Sequence, residues 1–315
     1  MKDKLIIITG PTASGKSDIS INVAKAFSGQ IISADSQQIY KDMNIGTNKI
    51  DQTYGINHHL INLINPNENF TVEDFSSKAR LLIHQINEYG DIPLLTGGTG
   101  FYIDSILFDM NYGATPRDSD LRNELEAIAD NKGNSYLYDR LKLIDPLTAD
   151  KYHENERNRI IRSLEIYELT GKKPSDVRSG EKVLNKKVDP ILFFLNFKDR
   201  SGLYKKINNR VIEMISNGLI EEFVNVVKTY RLNGDSQSMS AIGYKEIFPF
   251  IKEEIDIDEL IDLIQKNTRH YAKRQVTWMK RYLNYNFAHE IIMDNLSKND
   301  ASDIIISTIK DIYEF

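Results

Sequence analysis

The chain contains no cysteine, a single tryptophan and no long apolar run. The lack of cysteine excludes disulfides, thiolate catalysis and cysteine-ligated zinc, and we expect a reducing compartment such as the cytoplasm. No apolar run approaches the length needed to cross a bilayer, and a strand pattern begins almost at once, so we expect neither a membrane segment nor a secretory signal. Because the net charge is −5, any nucleic-acid surface must be a local patch.

The 315 residues, 41% of them hydrophobic and 27% charged, suit a globular protein with one large domain or two. Over the first hundred residues, strand and helix patterns alternate. Strands are predicted at 4–9, 30–34 and 92–96, and a further short strand is predicted between the last two, at 60–64. This alternation predicts an α/β fold with a parallel sheet flanked by helices, similar to the phosphate-loop NTPases.

A glycine-rich loop follows the first predicted strand and precedes a predicted helix. Its pattern, G-x-x-x-x-G-K-S, wraps a di- or triphosphate in backbone N–H groups, with the lysine adding positive charge and the serine hydroxyl reaching Mg²⁺. We therefore predict a site for a diphosphate group and Mg²⁺. The loop comprises Gly10, Pro11, Thr12, Ala13, Ser14, Gly15, Lys16 and Ser17.

Two further segments follow predicted strands, and in a parallel sheet the carboxyl ends of strands meet at one edge. Asp35, in the run 35–38, is predicted to act as a general base or to bind Mg²⁺ through water, with capping of the next helix as the alternative. Thr99 lies in the glycine-rich run 97–100, which is either a ligand-contacting turn or a plain turn. The strand at 92–96 ends in Thr-Gly-Gly and lacks the Mg²⁺-holding Asp of an ATPase, which favours a transferase.

From about residue 118 the patterns are helical alone, and we predict a helical insertion domain over 113–190. The segments 1–112 and 191–315 then form the α/β core, with a strand at 191–197 and, after residue 199, helices apart from a loop at 233–240.

Two basic clusters are candidates for RNA contact. Arg159 and Arg162 share a helix face, with pairing to Glu156 and Glu165 as the alternative. The run 266–282 carries six basic residues, no acid, and three interleaved aromatic residues, a pattern typical of binding to phosphates and unpaired bases. The alternative is an amphipathic helix with a basic outer face and aromatic core contacts.

Taken in order, these motifs resemble the tRNA dimethylallyltransferase family of bacterial type, over most of the chain. The motifs are GPTASGKS from residue 10, DSQQIY from 35, IGT-x-K from 45, HHLI from 58, GGTGFY from 97, RIIRSLE from 159, DR-x-x-LY-x-x-I-x-x-RV from 199, AIGYKE from 241 and TRHYAKRQVTWMKR from 268. Asn62 stands where many members carry an acid.

The resemblance implies transfer of a dimethylallyl group from dimethylallyl diphosphate to N6 of the adenosine immediately 3′ of a tRNA anticodon, with Mg²⁺. It implies that the phosphate loop and Arg210 hold the donor rather than ATP, and that Lys16, Asp35 and Thr99 are catalytic. The insertion would bind the anticodon stem-loop. The residues implied to face tRNA are Asp35, Ser36, Gln37, Gln38, Thr99, Arg122, Asn158, Arg159, Ile160, Ile161, Arg162, Ser240, Ala241, Ile242, Gly243, Tyr244, Lys245, Lys273, Arg274, Gln275, Val276, Thr277, Trp278, Met279 and Lys280.

Three alternatives remain at this point. An enzyme that prenylates free AMP, ADP or ATP would share the phosphate loop and Asp35, but would not need the insertion or the basic run near the C-terminus. A small-molecule kinase would consume ATP, and a non-catalytic RNA-binding protein would not need Lys16, Ser17 and Asp35 together. We expect a monomer without an obligate protein partner, because one site built within one chain needs no second copy.

Overall fold

The protein is described from a computed structural model over residues 2–50, 54–109, 118–177 and 183–314. Contacts divide the chain into two compact units. The first comprises the residues up to Leu107 together with those from Asn185 onward, and the second is Phe108–Leu184. The predicted insertion began at residue 113, which lies outside the described residues, and its predicted end at 190 falls inside a strand.

The first unit is an α/β structure. Its strands are β1 (Asp3–Thr9), β2 (Gly29–Ser33), β3 (His58–His59), β4 (Ile92–Gly97), β5 (Val188–Asn196) and β6 (Ala288–Ile292). Its helices are α1 (Lys16–Ala26), α2 (Val72–Glu88), α3 (Gly100–Leu107), α9 (Arg200–Ser216), α10 (Leu219–Tyr230), α11 (Ile247–Ile251), α12 (Ile257–Met279) and α13 (Lys298–Tyr313), with 3₁₀ turns at Gln237–Ser240 and Lys280–Asn284.

The six strands form one sheet in the order β3-β2-β4-β1-β5-β6, and every pairing is parallel. The central strands are continuous apolar runs because both of their faces are covered, as in β1, where residues 5–9 are all buried. The predicted parallel α/β fold is thus confirmed. All strands point the same way, so the loops after β1, β2 and β4 lie at one edge of the sheet.

The last described helix, α13, is hydrogen-bonded to two central strands of the sheet. The Tyr313 hydroxyl on α13 accepts a hydrogen bond from the Leu5 N–H (3.1 Å) and donates one to the Asp189 carbonyl (2.5 Å). Burial is the main reason that the pKa of Tyr313 lies above its usual value, so the hydroxyl stays protonated. This one side chain joins β1, β5 and α13.

The second unit is helical. It contains α4 (Ser119–Lys132), α5 (Asn134–Ile144), α6 (Pro146–Ala149), α7 (Arg157–Thr170) and α8 (Pro174–Val177). Its core is formed by apolar residues spaced three and four apart on the three longer helices, among them Leu125, Leu141 and Leu164. Asp118 caps α4 by accepting from the N–H groups of residues 120 and 121, and Gly171 ends α7 with φ 68°.

Two predicted elements differ from the observed ones. The predicted strand at 60–64 is an irregular segment whose Ile64 makes an isolated bridge to Tyr40, while the third strand is the preceding pair His58–His59. Strand β6 lies where only helix was expected. It pairs on one side only, with β5, and its sequence AHEII lacks the long apolar run that indicates a strand covered on both faces. Among the described residues, no helix combines the length and apolar character that crossing a membrane requires.

Candidate active site

The phosphate loop joins the end of β1 at Thr9 to the start of α1 at Lys16. Gly15 has φ 88°, in the left-handed region that glycine adopts without strain. A side chain at Gly10 would meet the Leu195 carbonyl oxygen at 2.6 Å, so the backbone passes too close to β5 for any larger residue. The first amides of a helix have no intrahelical acceptor, and the loop therefore directs them at one point suited to an anion.

The Lys16 side chain is folded back over its own loop. Its Nζ donates to the carbonyl oxygens of Pro11 (2.7 Å) and Gly10 (3.0 Å). Burial lowers the pKa of Lys16 to about 7, an effect that the nearby Asp35 opposes and Arg210 reinforces. A partly buried lysine whose hydrogen bonds go only to neutral acceptors is thus placed to bind an incoming anion.

Arg210, on α9, lies beside the same loop. Its Nη1 donates to the Thr12 hydroxyl at 2.8 Å, and its Nε is buried without a hydrogen-bond partner among the described residues. Burial lowers the pKa of Arg210, and Asp35 and Glu213 oppose that effect. A buried guanidinium donor with no acceptor indicates a missing anion, because such groups are normally satisfied.

Asp35 lies at the junction of two cavities. The smaller one, of about 50 Å³, is lined by Lys16, Ser17 and Asp35, together with residues of β2, β3 and β4. The larger one, of about 240 Å³, is lined by Asp35 and Arg210 among others. One carboxylate oxygen of Asp35 accepts the Gln37 N–H at 2.9 Å, which forms a turn and fixes the direction of the side chain. Residues 36–39 are a turn and not the start of a helix, so the alternative that Asp35 caps the next helix is wrong.

Thr99 holds the Asp35 loop against the glycine-rich turn. Its hydroxyl oxygen accepts the Ser36 N–H at 3.1 Å, and its own N–H donates to the Ala34 carbonyl at 3.1 Å. The turn is close-packed, since a side chain at Gly98 would meet the Gln275 amide at 2.1 Å. Thr99 is therefore more than a plain turn residue, because it sets the position of residues 34–36.

The larger cavity brings together segments that are distant in the sequence. The predicted site residues that line it are Thr12, Asp35, Ser36, Gln37, Arg210, Ser240, Ala241, Ile242, Lys245 and Arg274. Tyr271, Gly46 and Thr47 also line it and were not predicted as site residues. The signal for Tyr271 was its helical spacing from Thr268 and Arg274, which places the three side chains on one side of α12.

The basic run at the end of α12 has two faces. Lys273, Arg274, Thr277 and Lys280 are exposed, while Gln275, Val276 and Met279 are buried. Gln275 accepts the Thr12 N–H at 2.8 Å and donates to the Gly98 carbonyl at 3.1 Å, tying the phosphate loop to the glycine-rich turn.

The structure corrects part of the predicted RNA contact set. Met279 is fully buried, where its sulfur accepts from the Thr9 hydroxyl, and Tyr244 is fully buried as well, so neither side chain offers a surface to RNA. Tyr282 is buried and donates to Asp104 at 2.7 Å, which excludes it as a stacking platform. The Trp278 ring packs against Gly100, and the Arg281 guanidinium lies 4.0 Å from the centroid of that ring in a cation–π contact.

The second unit carries the other basic cluster, on α7. Both ion pairs of the alternative interpretation are present: Arg159 with Glu156 at 2.5 Å, and Arg162 with the buried Glu165 at 3.2 Å. Arg122, on α4, also pairs with Glu165. Its guanidinium lies 3.7 Å from that carboxylate and donates to the Asn158 amide oxygen at 3.0 Å.

Ile160 and Ile161 were predicted to face RNA, but both are fully buried in the core of the second unit. Neighbouring residues on a helix point about 100° apart, so a continuous five-residue run cannot lie on one face. Asn158 and Arg159 are exposed and Arg162 is partly exposed.

The small cavity fits a metal ion that arrives with its substrate. Ser17 offers a hydroxyl and Asp35 a carboxylate to the same space, and Mg²⁺ prefers such oxygen ligands. The described residues contain no group of three or more His, Asp or Glu side chains that could hold a metal by themselves. Most ligands of a Mg²⁺ ion here would therefore be oxygens of a diphosphate and water.

A strand, glycine loop and helix start, with the partly buried cations Lys16 and Arg210 beside them, define a phosphate-binding α/β protein. The IPP transferase family matches residues 38–282, and a second family, isopentenyl transferase, matches residues 3–57. The chain belongs to the IPP transferase family.

Similar proteins carry consistent descriptions. A tRNA dimethylallyltransferase of Caldanaerobacter subterraneus is 46% identical over 286 residues, covering 90% of each chain. The solved tRNA isopentenylpyrophosphate transferase of Bacillus halodurans is 38% identical, covers 98% of this chain and 96% of that one, and has a TM-score of 0.72. A eukaryotic dimethylallyltransferase acting on tRNA is 29% identical, covers 99% of this chain and 80% of that one, and has a TM-score of 0.84.

Proposed function

We propose that this protein transfers a dimethylallyl group from dimethylallyl diphosphate to N6 of the adenosine immediately 3′ of a tRNA anticodon. One observation carries the proposal: Asp35 lines both the small cavity beside Lys16 and Ser17 and the larger cavity beside Arg274 and Tyr271. Direct transfer of a group requires two substrate sites that adjoin, and a residue that lines both cavities places them side by side. Family membership supplies the chemical identity of the two substrates.

The donor is held by its diphosphate at the phosphate loop. Lys16 and Arg210, both partly buried and bonded to neutral oxygens, would neutralise the negative charge that grows as the C–O bond of the donor breaks. The Ser17 hydroxyl would hold Mg²⁺ beside the diphosphate, and the ion would supply further charge stabilisation there. The allylic carbon can carry positive charge, which favours early departure of the diphosphate.

The acceptor adenine would enter the larger cavity after leaving its stack. Its exocyclic amine is a weak nucleophile, and Asp35 would orient it and take one proton as the N6 lone pair forms the bond to the allylic carbon. The Gln37 N–H and Thr99 hold Asp35 and its loop in place for that transfer. The products are prenylated RNA and diphosphate, and the proton leaves through the carboxylate.

Each unit has exposed or partly exposed cations that would contact RNA. In the first unit these are Lys273 and Arg274 on α12 and Lys280 just after it, with Ser240 and Lys245 beside the cavity. On the second unit they are Arg159, Arg162 and Arg122, with Asn158.

The test is prenyl transfer to RNA. Purified protein is incubated with Mg²⁺, dimethylallyl diphosphate and an anticodon stem-loop RNA carrying the adenosine, and the RNA nucleosides are analysed by mass spectrometry. We expect N6-prenylated adenosine, reduced about 10²–10⁴-fold by Asp35→Ala, as for loss of a general base. Asp35→Asn, of equal size, serves as the matched variant and should be similarly impaired.

Three other outcomes would replace the proposal. Product on free AMP and none on RNA would indicate a nucleotide-prenylating enzyme. ATP consumption without prenyl product would indicate a kinase. RNA binding with neither activity would indicate a binding protein.

A further inference from the structure

Glu222, in the first turn of α10, accepts an unusual number of hydrogen bonds. Its carboxylate accepts from three consecutive backbone N–H groups, those of Asn44 (2.8 Å), Ile45 (2.8 Å) and Gly46 (3.1 Å). It also accepts from the Tyr244 hydroxyl at 2.5 Å. Four donors on one carboxylate form a charge-assisted cluster, and the start of a helix favours the negative charge there.

The cluster joins two walls of the larger cavity. Gly46 and Thr47 line that cavity on one side, and Ser240, Ala241 and Lys245 line it as well. Tyr244 lies within the segment 240–245 and is fully buried.

Gly46 and Tyr244 are also in close contact. A side chain at Gly46 would come within 2.2 Å of the Tyr244 ring, so the two walls meet there with no space between them. Burial is the main cause that raises the pKa of Tyr244, and Glu222 adds to it, so the phenol stays a donor.

Other side chains hold the remainder of the loop 44–49. Gln38, next to the Asp35 turn, donates to the carbonyl oxygens of Thr47 (3.2 Å) and Asn48 (3.3 Å). Lys49 donates to the Asn62 amide oxygen at 2.6 Å. Release of residues 44–46 would therefore loosen the wall beside Asp35, while the phosphate loop has no bond to this cluster in the part of the chain that the structure describes.

We propose that Glu222 is a positioning residue that sets the shape of the acceptor cavity by holding the loop 44–49 against Tyr244. It touches no reacting atom, and it acts on the acceptor side rather than the donor side. This inference rests on the proposed function, because it assigns the larger cavity to the adenosine.

The experiment compares Glu222→Gln with Glu221→Gln, a matched loss of charge at the adjacent, exposed position of the same helix. Steady-state kinetics give kcat and the KM for each substrate. For Glu222→Gln we expect the KM for the stem-loop RNA to rise about tenfold, as charge-assisted hydrogen bonds are lost, and the KM for dimethylallyl diphosphate to stay within about twofold. Glu222→Asp, which keeps the charge, should recover part of the loss.

Hydrogen exchange of a peptide covering 42–49 provides a readout that does not depend on activity. Faster exchange in Glu222→Gln than in Glu221→Gln is expected. Equal exchange in the two variants, an unchanged KM for RNA, or equal increases in both KM values would overturn the inference. If the wild type prenylates AMP instead of RNA, the proposed function fails, while exchange and the KM for AMP still decide the role of Glu222.

Discussion

The cations beside the phosphate loop and the arginines of helix α7 differ in their hydrogen-bond partners. Lys16 and Arg210 are partly buried, and their hydrogen bonds go to carbonyl and hydroxyl oxygens. Arg159 and Arg162 are paired with carboxylates.

The difference indicates which cluster gains most from an anion. Burial disfavours the charged forms of Lys16 and Arg210, and Asp35 offsets only part of that effect, so a diphosphate that restores the favourable charge balance binds well there. A cation that already has a carboxylate partner gains less from a phosphate, because the first pair must be shared or broken. We therefore expect large, localised effects at the loop and small, salt-dependent effects at α7.

The largest effect is expected from Lys16→Met, which keeps the length of the side chain and removes its charge. Prenyl transfer should fall about 10²–10³-fold, in line with the loss of one group that stabilises developing charge. The measurement is kcat/KM for the donor at fixed RNA, with circular dichroism to check folding. Activity within tenfold of the wild type would show that the two regions do not differ as described.

The next effect concerns pH. The pKa of Lys16 is about 7 without an anion, so above pH 7 the amine is mostly neutral. A bound diphosphate would raise that pKa, and binding must then take up a proton. Affinity for inorganic diphosphate should accordingly weaken as pH rises from about 7 to 9, by up to about tenfold per pH unit for one proton.

Calorimetry at pH 8 in two buffers of different ionisation enthalpy measures this proton uptake directly. Lys16→Met should take up none. Equal uptake by the wild type and the variant would place the titrating group elsewhere.

The smallest effect is expected in the second unit. Arg122→Gln and Arg162→Gln should each weaken stem-loop binding about two- to fivefold near physiological salt and make the binding less salt-dependent. The KM for the donor should not change. Arg140→Gln removes another arginine of this unit that is paired with a glutamate, and this control should leave binding unchanged. A loss of RNA affinity of 100-fold or more would mean that the arginines of the second unit contribute as much as the phosphate loop does.

The sequence predicted local features better than tertiary ones. The phosphate loop, β1, α1 and the parallel sheet follow from short-range patterns, because apolar runs and glycine spacing act within a few residues. The convergence of Asp35 and Thr99 at one edge of the sheet could be predicted because both follow strands of a parallel sheet.

The remaining site residues depend on contacts between distant segments. Glu222 is one of two adjacent glutamates on a helix, and only the folded chain shows that it meets residues 44–46 and Tyr244. Ile160 and Ile161 were wrongly predicted to face RNA for a different reason. They lie in a continuous sequence motif on a helix, and a helix exposes only part of each turn, so some residues of the motif are buried.

The bond network of Tyr313 bears on how the protein is made. The central strand β1 is synthesised before the second unit, yet its neighbour β5 comes after that whole unit, and the side chain that joins both strands to α13 comes later still. On the ribosome, the second unit can complete its own core while the sheet still lacks β5 and β6. The helical unit thus interrupts the synthesis of the α/β unit, which can close its sheet only afterwards.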